Sequence, residues 1–330
     1  MAVLATTHPT LADVAKRLDP DGSIATIVEI LAQTNDVLTD MVQLEGNLPT
    51  GHRTTIRSGL PQPTWRKIYG GVQPTRSTTV QVTDSTGNLE AYAEVDKLLA
   101  DLNGNTAAWR MSEETPHIEG MNQEMASTLF YGNEGTAPAE FTGLAPRYNS
   151  LSAENALNII DGGGSSTDNT SMWLVVWGPN TCHGIYPKGS RAGLSMQDLG
   201  EVTVENMDGS NGRAQAYRSH YQWQMGVTVR DWRYVARVCN IDVSDLNTLA
   251  NTKNLITWMI QAAERIPQLG FGRAAWYCNR TIREKLRLGI LEKIGTNLTW
   301  ETVAGERVMM FDGIPVRRTD ALLNAEARVV

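Results

Sequence analysis

Between Gly46 and Thr83 runs a stretch that cannot form a core of its own. In GNLPTGHRTTIRSGLPQPTWRKIYGGVQPTRSTTVQVT there is no Asp or Glu, while Arg53, Arg57, Arg66, Lys67 and Arg76 supply five positive charges. Gly59, Pro61, Pro63 and the Gly70-Gly71 pair break it into short extended pieces. The last of these, STTVQV, alternates as a half-buried strand does. The run holds too few apolar residues for a core of its own. As a hairpin of about 18 residues per arm, at ~3.3 Å per residue, it would reach roughly 60 Å. A compact chain of this length has a radius of gyration of only about 20 Å. Such a hairpin cannot stay within its own subunit's outline, so it must find a partner or hang loose.

A second stretch, Ser112 to Asn133, reads as a long helix. Ser112 is a plausible N-cap, Glu113 and Glu114 suit the positive end of the dipole, and Pro116 fits a first turn. Ile118, Met121, Met125 and Leu129 form an apolar stripe at spacings of three and four. Gly132 and Asn133 supply the stop. By periodicity alone this is an amphipathic core helix. Glu113, Glu114, Glu119 and Glu124 then make a solvated or interface face, not an acid/base set.

The remaining pattern mixes helices and strands. Residues 1–22 read as an arm broken by Pro9 and Pro20. A helix is expected from Ser23 through Ile24, Ile27, Val28 and Leu31, with Val37, Leu38 and Met41 continuing its stripe. LEAYAEVDKLLADLNG predicts another helix with Leu89, Tyr92, Val95, Leu99 and Leu102 inward, and LSAENALNIID a third. DGGGSSTDNTS (Asp161–Ser171) reads as a flexible loop, since no Gly-Lys-Ser/Thr follows its glycines. MWLVVWGP has the continuous apolar character of a strand buried on both faces. In Tyr217–Ile241, Tyr221 to Val229 alternate, Arg230-Asp231 interrupts, and Trp232, Tyr234, Ala236 and Val238 resume. A bend or hairpin belongs at the interruption. Residues 247–266 predict a helix with Leu255, Trp258, Met259, Ala262 and Ile266 on one face. Then come a buried strand AAWYCN, a helix capped by Asn279, and a strand-turn-strand with Asp312-Gly313 at the turn.

Chemistry is scarce. His8, His52, His117, His183 and His220 show no metal-ligand spacing. No nucleophile elbow is present, and the adjacent Cys182-His183 point to different faces of a strand. Cys182, Cys239 and Cys278 are far apart and read as buried thiols. No 18-residue apolar run and no signal peptide are visible, so the expectation is a soluble, cytosolically made protein without a membrane role. Neither a cofactor nor a metal is expected. With 29 basic against 36 acidic residues the net charge is −7, which argues against a surface that grips nucleic acid throughout.

The order of these segments carries a resemblance. A helix ending in LFYGN, the Gly/Pro loop and F-T-G-L that follow it (Leu129–Asn149), and a terminal MFDGIPVRRTDALL (Met310–Leu323) resemble the major capsid proteins of tailed bacteriophages. Those proteins have the Hong Kong 97-type fold, and the resemblance extends over nearly the whole chain. It implies an α+β subunit with an N-terminal arm and first helix (1–45) and an extended E-loop (46–84). The peripheral domain with its spine helix follows (85–150), then a first axial part (151–212), long peripheral strands (213–245) and a second axial part (246–330). It also implies hexamers and pentamers tiling an icosahedral head around double-stranded DNA, without sequence-specific binding, in a virion assembled in a bacterial cytoplasm. On the resemblance, the interface residues are Arg53, Arg57, Trp65, Arg66, Lys67, Ile68, Tyr69 and Arg76 in the loop. Their counterparts on a neighbour's spine are Glu113, Glu114, Glu119 and Glu124.

Some relatives cross-link a loop Lys to an Asn beside a catalytic Glu. Lys67 is the only Lys in this loop, and no partner pair can be matched to it, so that chemistry is not carried over. The lack of a long helical N-terminal extension suggests a separate scaffolding protein; a portal and a decoration protein are further expected partners. Two alternatives stand beside this reading: an encapsulin-like nanocompartment, and a soluble nucleic-acid-binding protein that uses the basic loop, with Trp65 and Tyr69 stacking on bases.

Overall fold

The computed structural model describes residues 32–104, 106–205, 212–247, 249–291, 298–303 and 306–330. The expected arm and the helix from Ser23 lie outside them. The described residues divide into two compact units: one with 32–34, 88–126 and 193–224, the other with 35–87, 127–192 and 225–330.

In the second unit a mixed sheet is built around β6 (Asn169–Trp177), in which every residue is buried. On one side β6 pairs with β11 (Arg273–Cys278), followed by β14 (Ile314–Arg318), β13 (Glu306–Phe311) and β12 (Leu298–Val303). On the other it pairs with β10 (Val235–Asp242), which pairs with β5 (Ile159–Asp161). One face is covered by α4 (Leu249–Arg265) and α5 (Arg280–Leu291). Leu255, Met259 and Ala262 of α4, with Ile282 and Leu286 of α5, pack there against Met172, Leu174, Val176 and Trp276. On the other face the Trp173 ring meets Phe130 at 6.1 Å and Tyr148 edge-on at 5.9 Å. Both faces of β6 are dry, which is why MWLVVW shows no alternation.

Arg237 interrupts the apolar run of β10 yet is only 4% exposed. Its guanidinium donates to Glu326 at 2.8 Å and to the Tyr148 carbonyl at 2.8 Å, and lies 5.0 Å from the Trp173 ring centroid. Glu326 also accepts from Tyr131 and Ser171. This network ties the C-terminal segment to the sheet, since a buried charge is tolerated only when paired and hydrogen-bonded.

The first unit is smaller. Its strand β9 (Arg213–Val229, of which residues 213–224 belong here) lies between β8 (Leu194–Glu205) and β4 (Gly87–Asp96). Over them runs most of α3 (Thr106–Tyr131), which brings Met121 against Ala93 and Tyr221, and Trp109 against Val95 and Ala100.

Several expectations require correction. The helix predicted over LEAYAEVD is strand β4, followed by only one helical turn, α2 (Lys97–Ala100). The same residues satisfy a period of two. Ala93 and Val95 are buried and Leu89 and Ala91 half-buried, while Glu94 meets Arg218 at 2.6 Å and Tyr92 stacks on His220 at 4.5 Å. Pairing with β9 overrides the helical propensity of Leu, Ala and Glu. α3 starts at Thr106, so Ser112 is no cap; its hydroxyl donates to the Trp109 carbonyl, and Pro116 lies inside the helix. Ile118 is 41% exposed, whereas Met121, Met125 and Leu129 of the same stripe are buried. LSAENALNIID forms turns and a single 3-10 turn before β5, and Asn169 to Ser171 of the expected loop belong to β6. Val37 and Leu38 lie in a single turn, α1 (Val37–Asp40), and Met41 follows it. The interruption at Arg230-Asp231 is a bend and not a hairpin, since β9 pairs with β7 (Cys182–Tyr186) and β10 with β5 and β6. Strand β12 had no signal that set it apart.

Other expectations hold. Asn279 accepts the Ile282 amide at 2.9 Å. Asp312 and Gly313 both have positive φ, as a tight hairpin turn requires. The three cysteines are free and buried, and burial pushes the thiols of Cys182 and Cys278 up to about 12.

Candidate functional site

The acid-free run forms a hairpin. Strands β2 (Gly51–Gly59) and β3 (Thr78–Ser85) pair antiparallel from Gly51↔Ser85 to Gly59↔Thr78, with a bulge between Arg57 and Gly59. The paired arms are about half the length expected; residues 60–77 form a tip without strand structure. Within the tip, Gly70 N–H closes a turn on the Lys67 carbonyl at 2.9 Å, and Tyr69 sits at φ 67°. Trp65, Ile68 and Tyr69 are 103%, 86% and 99% exposed, so the tip has no apolar partner in its own subunit.

The base is held very differently. Asp84, the first carboxylate after the acid-free run, is buried and accepts from Arg147 at 2.7 Å and from Thr228. Arg147 also donates to the carbonyls of Thr142, Gly143 and Val227 at 3.1–3.2 Å. One guanidinium thus joins β3, β9 and the segment after α3. Asn47 brackets Arg53 with two 2.7 Å backbone hydrogen bonds. Gly51 packs so close to the Asp84 carbonyl that a Cβ would lie 2.0 Å from its oxygen. His52 meets the buried His183 edge-on at 5.9 Å. Burial, then His52 and Arg230, pushes the His183 pKa down to about 4, and burial and Arg230 also lower that of His52. Both rings are thus neutral near pH 7.

The basic residues separate. Arg53 bridges its own hairpin to Thr83 at 3.1 Å. Arg57 lines a cavity of about 410 Å³ with Ser58, Leu60 and Arg230 to Arg233. Arg66, Lys67 and Arg76 stand exposed in the tip.

On α3, the carboxylates divide as well. Glu114 accepts from Ser219 at 2.6 Å and lies 3.5 Å from Arg110, which itself pairs with Asp198 at 2.6 Å. Glu119 accepts from the Gln33 amide and from Gln123, both at 2.8 Å. Glu113 is half-buried with a partner in its own chain, and Glu124 is exposed. The anchor of Asp84, Arg147 and Thr228 escaped sequence reasoning. Its one signal was that the acid-free run ends at Asp84.

The long helix, the hairpin anchored at its base and its exposed apolar tip agree with the capsid subunit of the Hong Kong 97 type that the sequence resembles. The family profile of major capsid protein GP7 matches residues 19–330, and the chain belongs to that family. A chain in the near-atomic structure of bacteriophage Epsilon15 is 39% identical over 100% of this chain and 99% of its own, with a TM-score of 0.78. The capsid of a native GTA particle aligns at 10% identity over 71% of this chain and 99% of its own, with a TM-score of 0.46. A chain of the holo-SrpI encapsulin complex from Synechococcus elongatus aligns at 12% over 70% and 96%, with a TM-score of 0.43. Comparison with curated proteins returned no match. The protein is a major capsid protein of a tailed phage, a self-associating component of the virion.

Proposed function

We propose that copies of this chain assemble as hexamers and pentamers into an icosahedral head around double-stranded DNA, with the hairpin of residues 46–84 lying on a neighbouring copy. The observation that carries this is the exposed tip. Trp65, Ile68 and Tyr69 are almost wholly solvated in the single subunit, whereas the hairpin base is buried and ion-paired. A structure ordered at its base and apolar at its tip is built to reach outward. Burying each of these side chains contributes about 1.5–3 kcal/mol.

Apolar packing of the tip is the larger contribution, and ion pairs of Arg57, Arg66, Lys67 and Arg76 the smaller. Of the helix carboxylates, the exposed Glu124 is best placed to receive them, since Glu114 and Glu119 already serve their own chain. Residues 151–212 and 246–330 are assigned to the capsomer centre. The role is structural and non-catalytic, with a separate scaffolding protein, a portal and a decoration protein as partners.

The test replaces Trp65 and Tyr69 with Ala together. The subunit should melt within about 1 °C of the parent, because exposed residues contribute little to folding, while shell yield seen by electron microscopy collapses. Normal shells would remove the hairpin from the interface.

A further inference from the structure

Helix α5 carries Arg280, Arg283 and Arg287 at spacings of three and four, which places them on one face. With Glu284, Leu288 and Arg318 of β14 they line a cavity of about 410 Å³. Two of these arginines lie in the first turn of α5, where the helix dipole disfavours positive charge. Helix stability does not explain that placement. Asp320 takes up Arg318 at 2.5–2.8 Å and approaches Arg280 at 3.5 Å. The Nε of Arg283 is buried and has no hydrogen-bond partner among the described residues. The Arg287 guanidinium lies 5.4 Å from the ring centroid of Trp300, which is 39% exposed.

We propose that this cavity binds phosphate groups of a nucleic-acid backbone. All the cationic residues lining it are arginine, whose planar fork matches phosphate oxygens bidentately, and no lysine is among them. One carboxylate in the lining and Asp320 beside it leave a surplus of positive charge. Arg287, held over the Trp300 ring, continues the row of Arg280 and Arg283 along one helix face, a row that can follow successive phosphates of a backbone. The chain as a whole is negative at −7, so contact with a polyanion has to be local. The proposal rests on the reading that the shell encloses nucleic acid.

The test uses the full chain and a fluorescein-labelled 20-base-pair DNA duplex, with a polyglutamate peptide of equal length as competitor. If four phosphates are engaged, the logarithmic salt slope is about −0.9 per phosphate, and affinity falls roughly 150-fold between 50 and 200 mM salt. Arg283→Gln with Arg287→Gln should reduce that fall to about 12-fold, whereas Lys188→Gln with Arg191→Gln should leave it unchanged. Equal slopes in wild type and the first variant, or polyglutamate binding more tightly than DNA, would overturn the proposal. The second of these results would assign the cavity to an acidic segment of another subunit. If the variant does not melt cooperatively, phenylglyoxal labelling of the wild-type chain decides: DNA should protect Arg283 and Arg287 several-fold, and absence of protection refutes the site. Shell yield is scored on the same samples, so DNA binding that fails while shells form normally sinks the site alone.

Discussion

Replacing Asp84 with Asn asks whether the hairpin is held by a charge at its base. The Asp84 carboxylate is 4% exposed and faces Arg147 at 2.7 Å. Breaking a buried pair costs about 3–5 kcal/mol when it strands the remaining charge. Here Arg147 keeps the carbonyls of Thr142, Gly143 and Val227, and Asn preserves an acceptor for Thr228. The expected loss is therefore smaller, about 2–3 kcal/mol. At roughly 2 °C per kcal/mol for a chain of this size, the unassembled subunit should melt about 4–6 °C lower. Hydrogen exchange should show where the loss falls: amides of β2 and β3 exchange faster, those of α4 and α5 do not. Adding Arg147→Met to the Asn variant should cost less than the same change in wild type, giving a coupling of at least about 1 kcal/mol. An unchanged melting temperature with unchanged exchange in β2 and β3 would show that backbone pairing alone holds the hairpin, and the reasoning would fail.

Acid should loosen the same base. The unfolded chain protonates His183 near its ordinary value of 6.5 and the folded chain only at about 4, so the unfolded state binds more protons between them. Stability is then full above pH 6.5 and falls as the pH drops toward 4, by at most about 3 kcal/mol; His183→Gln should flatten that profile in pH-dependent melts. Gly51→Ala drives a Cβ to 2.0 Å from the Asp84 carbonyl oxygen. The hairpin register must shift, which should appear as lost shells and as altered exchange confined to β2 and β3. Glu326→Ala leaves the 4%-exposed Arg237 without its carboxylate; denaturant unfolding should show a loss of about 3–5 kcal/mol.

The elements legible in the sequence were those whose pattern has one physical reading. MWLVVW has the continuous apolar character of a strand covered on both faces, and Asn279 before RTIREKL reads as a capped helix. Asp312-Gly313 between apolar runs was equally plain. LEAYAEVD was ambiguous because its apolar residues satisfy both a helical and a twofold period, and only the presence of β9 decides between them. The start of α3 was missed because TAAWRM offers no stop signal before Ser112 and Pro116 reads as a first turn.

The candidate interface divides along the same line. The expectation that residues 46–83 reach for a partner came from composition alone, since a run with no carboxylates and so few apolar residues forms no core of its own. Which residues then anchor it did not follow. Asp84, Arg147 and Thr228 are 63 and 81 positions apart in sequence, and a charge pair at such separation leaves no periodic trace. Likewise the glutamates of α3 look equivalent in a row of letters. Folding alone commits Glu114 to Ser219 and Glu119 to Gln33 and leaves Glu124 in solvent, because a hydrogen bond depends on where the fold brings the partner's hydroxyl or amide.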